Sequence, residues 1–96
     1  MSGLLYPFPA NGSVEPGFYL KELVHACVCN SRVPAKVVAD GLKKKYSTLM
    51  REVNPYDESA KLGIDTCLEL MRITGNIEPL EFMAQQLGYS LIKAQD

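Results

Sequence analysis

Basic side chains that could bind the phosphates of a nucleic acid are concentrated in one short segment of the chain. Between Arg32 and Arg51, six basic residues stand against one acid, Asp40, which gives the segment a net charge of +5. Contact with a phosphate backbone requires such a local concentration of cations. The alternative interpretation of the run Lys43 to Lys45 is a solvated loop, and charge alone does not decide between the two. The basic residues are Arg32, Lys36, Lys43, Lys44, Lys45 and Arg51.

The remainder of the chain has the opposite charge. From Glu52 to Asp96, eight acids stand against three bases, so this stretch carries a net charge of −5, while the whole chain of 96 residues carries −1. An acidic remainder limits unproductive adhesion to nucleic acid. The charge pattern therefore favours a protein that contacts nucleic acid through one segment only.

Residues that could ligate a metal or catalyse a reaction are few and poorly spaced. Side chains two positions apart on a helix diverge, so Cys27 and Cys29 are expected to be buried thiols and not metal ligands. His25 has no Ser, Cys or acid arranged with it as a nucleophile relay. Glu78 and Glu81 suit the first turn of a helix without any chemistry. We therefore expect no metal, no cofactor and no enzymatic activity.

Composition indicates one globular domain in a reducing compartment. Hydrophobic residues make up 47% and charged residues 22% of the sequence, as in ordinary globular proteins. No apolar run is long enough to cross a bilayer, and Met1 to Phe8 lacks the positive charge of a signal peptide. Three cysteines are too few, and odd in number, for a disulfide framework. We expect a cytoplasmic protein without membrane contact.

The spacing of apolar residues predicts an all-α fold, a compact five-helix bundle with a central helix-turn-helix. The helical domain is expected at residues 17–88, between an irregular N-terminal arm at 1–16 and a tail at 89–96 that could hold a short strand. The positions predicted to face the core are Leu20, Leu23, Val24 and Cys27; Val38, Ala39 and Leu42; Tyr46, Leu49, Met50 and Val53; Ile64, Cys67, Leu68 and Met71; and Leu80, Met83, Ala84 and Leu87.

Proline, glycine and aspartate predict where several of these helices begin and end. Pro34 and Pro79 suit the first turn of a helix, where the missing N–H is no loss. Asp65 is a plausible N-cap for the fourth helix. Gly75 and Gly88 stand where the fourth and fifth helices should end.

The two middle helices have the features of a helix-turn-helix. Ala39 is the small residue needed where the helices cross, Lys43 to Lys45 form the turn, and Leu49 and Val53 form the apolar seam of the second helix. Glycine usually occupies the position of Lys43. Either Lys43 adopts a positive φ at some cost, or the turn differs slightly.

This register leaves a polar outer face that could contact DNA. Arginine can bind guanine with two hydrogen bonds, and hydroxyl groups can bind base edges or phosphate. Tyr46 and Met50 also lie on the apolar stripe, and Tyr46 belongs either to the core or to the outer face. The predicted DNA-binding residues are Lys36, Lys43, Lys44, Lys45, Tyr46, Ser47, Thr48, Met50, Arg51 and Asn54.

These residues resemble a known family. The stretches Val37 to Asp40 and Ser47 to Pro55, followed by a helix, a Thr-Gly-Asn break and a last helix, resemble the phage regulatory protein CII family of temperate phages related to P-two and of bacterial prophages. That family resembles the wider lambda-repressor-like helix-turn-helix group. The resemblance implies a cytoplasmic, sequence-specific transcriptional regulator of the lysis–lysogeny choice, which binds double-stranded DNA as a homodimer or higher oligomer.

Two other classes of function stay open. A helical protein–protein interaction module could use the same fold without DNA, and failure to bind any duplex at low salt would favour it. A small enzyme has no catalytic constellation to support it, and a metal or cofactor bound to the purified protein would favour it.

Overall fold

Five helices joined by short connections form the part of the chain that the computed structural model describes, residues 16–94. No strand occurs within that part, which includes the tail as far as residue 94. The all-α prediction is therefore confirmed, while residues 1–15 of the predicted arm lie outside the described residues. The helices are α1 (Pro16–Cys29), α2 (Ala35–Gly41), α3 (Tyr46–Val53), α4 (Ile64–Thr74) and α5 (Glu78–Gln86).

Helix α1 lies at the centre of the bundle, because it packs against all four other helices. Its fully buried side chains are Val24, Cys27 and Val28, and the predicted stripe residues Leu20 and Leu23 are half-buried at its edge. Helix α2 packs in turn on α3 and α4. Burial of these apolar side chains stabilises the fold, by about 25 cal/mol for each Å² removed from water. The core residues are Val24, Val28, Val38, Ala39, Leu49, Val53, Cys67, Leu70 and Met71.

The apolar stripe predicted for α4 is partly wrong. Cys67 and Met71 are buried as expected, but Ile64 is 89% exposed and Leu68 is also exposed. Leu70 is buried in their place. Apolar residues occupy more than one face of this helix, so helical spacing allows two registers, and packing against α1 selects the one that buries Leu70.

The same correction applies to α5. Leu80 is exposed and Leu87 is 74% exposed, although both were predicted to face the core, and Met83 is half-buried. Ala84 is buried as predicted. The contact with α1 is made instead by Phe82, whose ring centroid lies 4.9 Å from that of Tyr19. The buried residues of α5 are Pro79, Phe82 and Ala84.

The helix ends match the sequence signals except at two residues. Gly75 and Gly88 have φ angles of 75° and 84° and lie at the ends of α4 and α5, as predicted. Asp65 is not the N-cap, because α4 begins one residue before it and Gly63 occupies the cap. Pro34 likewise precedes α2 as its N-cap residue instead of lying in the first turn.

Candidate nucleic-acid interface

The basic segment folds into α2 and α3, which pack on each other and are joined by four residues, Leu42 to Lys45. Four of the side chains predicted to face inward are each no more than 1% exposed: Val38 and Ala39 on α2, and Leu49 and Val53 on α3. Of the other three, Leu42 and Met50 are half-buried, and Tyr46 is exposed. The predicted register of the two helices is therefore confirmed. It leaves the opposite face of α3 to solvent.

Lys43 makes the turn between the two helices in a left-handed conformation, with a φ of 59°. Its backbone N–H donates to the carbonyl oxygen of Asp40 at 3.0 Å, and the N–H of Lys44 donates to that of Ala39, also at 3.0 Å. This pair of bonds is the Schellman helix end, and it satisfies carbonyl groups that the end of α2 would otherwise leave free. Of the two alternatives for this turn, the positive φ is correct.

Lys44 is held against the protein and is not a free cation. Its Nζ lies 3.2 Å from Oε1 of Glu52 and donates to Oε2 at 3.3 Å. Both side chains are largely covered, so the ion pair fastens the turn to α3. Lys36, Lys43 and Lys45 are exposed and form no ion pair with any residue in the described part of the chain.

Arg51 lies on the outer face of α3 but has partners of its own. It follows Leu49 by two residues, a rotation of about 200° away from the buried seam, and its side chain is 62% exposed. Its Nε donates to Oδ2 of Asp57 at 3.1 Å, and its Nη2 donates to Oγ of Ser59 at 3.1 Å. Both partners lie in the connection between α3 and α4.

Asp57 is the centre of a compact hydrogen-bonded turn. Its Oδ1 accepts bonds from the hydroxyl of Ser59 at 2.6 Å, from the N–H of Ser59 at 3.0 Å and from the N–H of Ala60 at 3.2 Å. The Ser59 hydroxyl, and after it the Arg51 guanidinium, lower the pKa of Asp57 from 3.8 to about 2. The carboxylate is therefore ionised throughout the physiological range.

The connection that holds Asp57 is itself fastened to α1. Nζ of Lys21 donates to the carbonyl oxygens of Asp57 and Ala60, both at 3.1 Å. The rings of Phe18 and Tyr56 meet edge to face, with centroids 5.2 Å apart. No site residue is predicted from the sequence in this stretch. The available signal was Asp57-Glu58-Ser59, since an aspartate commonly bonds to the backbone two residues further on.

The other predicted site residues differ in how exposed they are and in whether their side chains are engaged within the protein. Ser47 and Thr48 are exposed on the first turns of α3, and Tyr46 lies at the surface with 43% of its area exposed. Met50 is half-buried and packs against the core. Asn54 ends α3, and its Oδ1 accepts the backbone N–H two residues further on at 2.9 Å, which engages that oxygen locally.

The cysteines are free thiols in two environments. Cys27 and Cys67 are buried, and burial raises the pKa of both thiols, that of Cys27 to about 11. Cys29 is exposed, contrary to the expectation of a buried thiol, and its Sγ lies 3.6 Å from Nε2 of His25. Side chains four residues apart meet on a helix, so Cys29 lies beside His25, a pairing that was not predicted from the sequence.

Among residues 16–94, no three His, Cys, Asp or Glu side chains come together in a way that could hold a metal ion. No helix in the same part of the chain combines the length and the hydropathy needed to span a bilayer.

The fold and this surface define a small all-α protein that exposes three unpaired lysines, Lys36, Lys43 and Lys45, on α2 and on the turn that leads into α3. The family model of phage regulatory protein CII matches residues 19–96, and the chain belongs to that family. The resemblance predicted from the sequence is therefore confirmed, and the chain is placed among phage regulators. Neither the curated proteins nor the solved structures gave a significant match.

Proposed function

We propose that this protein is a sequence-specific transcriptional regulator that binds double-stranded DNA through α2 and α3. The observation that carries the proposal is the exposure of three unpaired lysines, with Lys36 on α2 and Lys43 and Lys45 in the turn that leads into α3. In a DNA-binding helix-turn-helix, the second helix enters the major groove and the residues around the turn contact phosphates. Helix α3 is therefore the proposed recognition helix.

The residues proposed to contact base edges are those on the outward face of α3. Ser47 and Thr48 offer exposed hydroxyls, and Arg51 offers a guanidinium that can bind guanine with two bonds. Tyr46 is exposed enough to contact the DNA backbone. Lys44, Met50 and Asn54 are engaged within the protein, so we expect their direct contribution to be smaller.

We propose a homodimer or higher homo-oligomer as the active form. One module of this size buries too little DNA surface for tight specific binding, so two half-sites about one helical turn apart are expected. The contact between copies is proposed on α4 and α5, whose acidic surface DNA repels. Ile64 and Leu68 are exposed one turn apart on α4, and Leu80 of α5 and Leu87, which directly follows α5, are also exposed. A second copy would remove these side chains from water.

Sedimentation equilibrium tests the oligomer independently of DNA. We expect a concentration-dependent dimer or larger species that Leu68→Ser weakens, whereas Val37→Ser, which changes an exposed apolar residue of α2, leaves it intact. A strict monomer at high protein concentration, with and without operator DNA, would contradict the assembly.

Selection from a pool of random DNA duplexes at low salt tests the function itself. We expect enrichment of a pattern with two related half-sites. A variant in which Lys36, Lys43 and Lys45 are all changed to Gln should bind every duplex weakly. If the wild type retains no duplex at low salt, the DNA-binding proposal fails, and the exposed apolar faces of α4 and α5 would favour the protein–protein interaction module instead. Control of the lysis–lysogeny choice in the bacterial cytoplasm is the setting that family membership supports.

A further inference from the structure

We propose that Asp57 and Ser59 are positioning residues that orient Arg51 to read a guanine in the major groove. They hold one edge of its guanidinium and leave the other edge free. This inference rests on the proposed function, because it assigns a role within the DNA interface. It concerns a connection between helices that neither the sequence pattern nor the family match assigns to DNA.

The geometry of the guanidinium carries the argument. Nε donates to Asp57 and Nη2 donates to Ser59, so the side edge of the group is occupied by the protein. Nη1 and the second N–H of Nη2 have no partner in the described residues, and the side chain remains 62% exposed. That terminal edge has two parallel donors, which match the O6 and N7 acceptors of guanine.

Asp57 and Ser59, here called the clamp on Arg51, belong to a turn that is itself held by several hydrogen bonds. Asp57 is fixed by three hydrogen bonds to Oδ1, and Lys21 ties the same turn to α1 through the carbonyl oxygens of Asp57 and Ala60. A long side chain normally loses conformational freedom when it binds a ligand, which weakens binding. Here folding has already restricted Arg51, so less freedom remains to be lost when DNA binds.

The charge of the clamp selects a base over a phosphate as the partner of Arg51. The carboxylate of Asp57 lies 3.1 Å from Nε, so the pair is close to neutral as a unit and attracts a phosphate less strongly than a free arginine does. The hydrogen-bonding geometry of the terminal edge is unaffected by this neutralisation. Lys36, Lys43 and Lys45 have no such partner, which suits them to phosphates.

The alternative role for Asp57 is to compete with DNA for the guanidinium of Arg51, and this role is here called the latch. The positioning role and the latch predict different effects of Asp57→Ala on the preference for one base. Affinity for the selected operator is measured for the wild type, Arg51→Ala, Asp57→Ala and the double variant, with each of the four bases placed at each operator position. The readout is the preference for one base over the others, because removal of an acid also raises affinity for all DNA. Circular dichroism confirms that each variant is folded.

We expect Arg51→Ala to reduce the preference for guanine at one position by about tenfold. Asp57→Ala should reduce the preference at that same position several-fold, and should have no further effect when Arg51 is already Ala. Ser59→Ala should act in the same direction, whereas Ser59→Thr, which keeps the hydroxyl, should retain the preference. If Asp57→Ala does not fold, the Ser59 pair decides the question.

Two results would overturn the inference while leaving the proposed function intact. One is an Asp57→Ala variant that binds the operator more tightly with its base preference unchanged, which is the latch. The other is a loss of preference at a position that Arg51→Ala does not affect. If the wild type selects no DNA sequence at all, it is the proposed function that fails.

Discussion

The pair α2 and α3 and the pair α4 and α5 both pack on α1, yet they present opposite surfaces. The first pair exposes Lys36, Lys43 and Lys45 around a connection of four residues. The second exposes the aliphatic side chains Ile64, Leu68, Leu80 and Leu87 together with acids. A polyanion favours the first surface and is repelled by the second, whereas an apolar partner favours the second. The difference teaches that one core of this size can support two chemically separate surfaces.

Within the basic pair, net charge overstates what is available to a ligand. Two of the six basic residues between Arg32 and Arg51 are paired with acids of the protein itself, Lys44 with Glu52 and Arg51 with Asp57. Both acids come from just after the basic stretch in sequence. The first acids of the acidic half, Glu52 and Asp57, therefore also fix the positions of two basic side chains.

The largest expected effect separates the buried and exposed stripes of α4. Leu70→Ala should lower the free energy of unfolding by about 2–5 kcal/mol, because it leaves a cavity in the core. Leu68→Ala, two positions earlier and exposed, should change it by less than about 0.5 kcal/mol. Urea denaturation of both variants, at a concentration where the protein is monomeric, measures the difference. Equal losses would show that Leu68 also packs in the core.

The second effect is on the crossing of α2 and α3. Ala39 is 1% exposed, so Ala39→Leu should cost about 1–3 kcal/mol of stability by overpacking, and it should abolish operator binding by separating the helices. Thermal melting and a binding titration check both consequences. Normal melting with normal binding would mean that the helix-turn-helix is placed in the wrong register.

The inward faces of α3 and α4 differ in whether they could be predicted from the sequence. The inward face of α3 could be predicted because Leu49 and Val53 form a single narrow seam. The face of α4 could not, because Ile64, Leu68 and Leu70 permit more than one stripe, and the choice depends on how α1 lies against the helix. Periodicity identifies a helix and limits its registers, and a tertiary contact is needed to select one of them.

Some features of the candidate site could likewise be predicted from the sequence, and others could not. The positions of the cations follow from local sequence, whereas the turn pattern left two alternatives for Lys43, and the structure is needed to show that its φ is positive. The bonds from Arg51 to Asp57 and Ser59 join residues six and eight positions apart. They depend on the path of a connection that has no periodicity to interpret.

A smaller effect is expected at the turn. Lys43→Gly should raise the free energy of unfolding by about 0.5–1 kcal/mol, because glycine adopts a positive φ without steric cost, although its greater freedom when unfolded offsets part of the gain. Lys43→Ala removes the same charge but keeps a Cβ at this positive φ, so it should bring no such gain. Chemical denaturation compares the two variants. A gain for both would point to relief of charge repulsion.

The smallest effect is the pH dependence that Asp57 contributes. Its pKa is about 2 in the folded protein and ordinarily 3.8, so folding favours the ionised form. The resulting stabilisation is present above about pH 4 and is lost as the pH falls towards 2. The difference in melting temperature between the wild type and Asp57→Asn should therefore be constant from neutral pH down to that window, and then shrink within it. A difference that stays unchanged down to pH 2 would contradict the assignment.

The most direct test of the central claim is the salt dependence of DNA binding. Each phosphate contact contributes about 0.9 to the slope of log affinity against log salt concentration, so Lys36→Gln and Lys45→Gln should each make the slope per protomer shallower by about 1. Lys93→Gln changes an exposed lysine outside α2 and α3 and should leave the slope unchanged. We predict these changes in slope, relative to the wild type, for fluorescence anisotropy titrations of the selected operator with the three variants. A slope that is unchanged in Lys36→Gln and Lys45→Gln, or that changes equally in Lys93→Gln, would contradict the claim that this surface faces DNA.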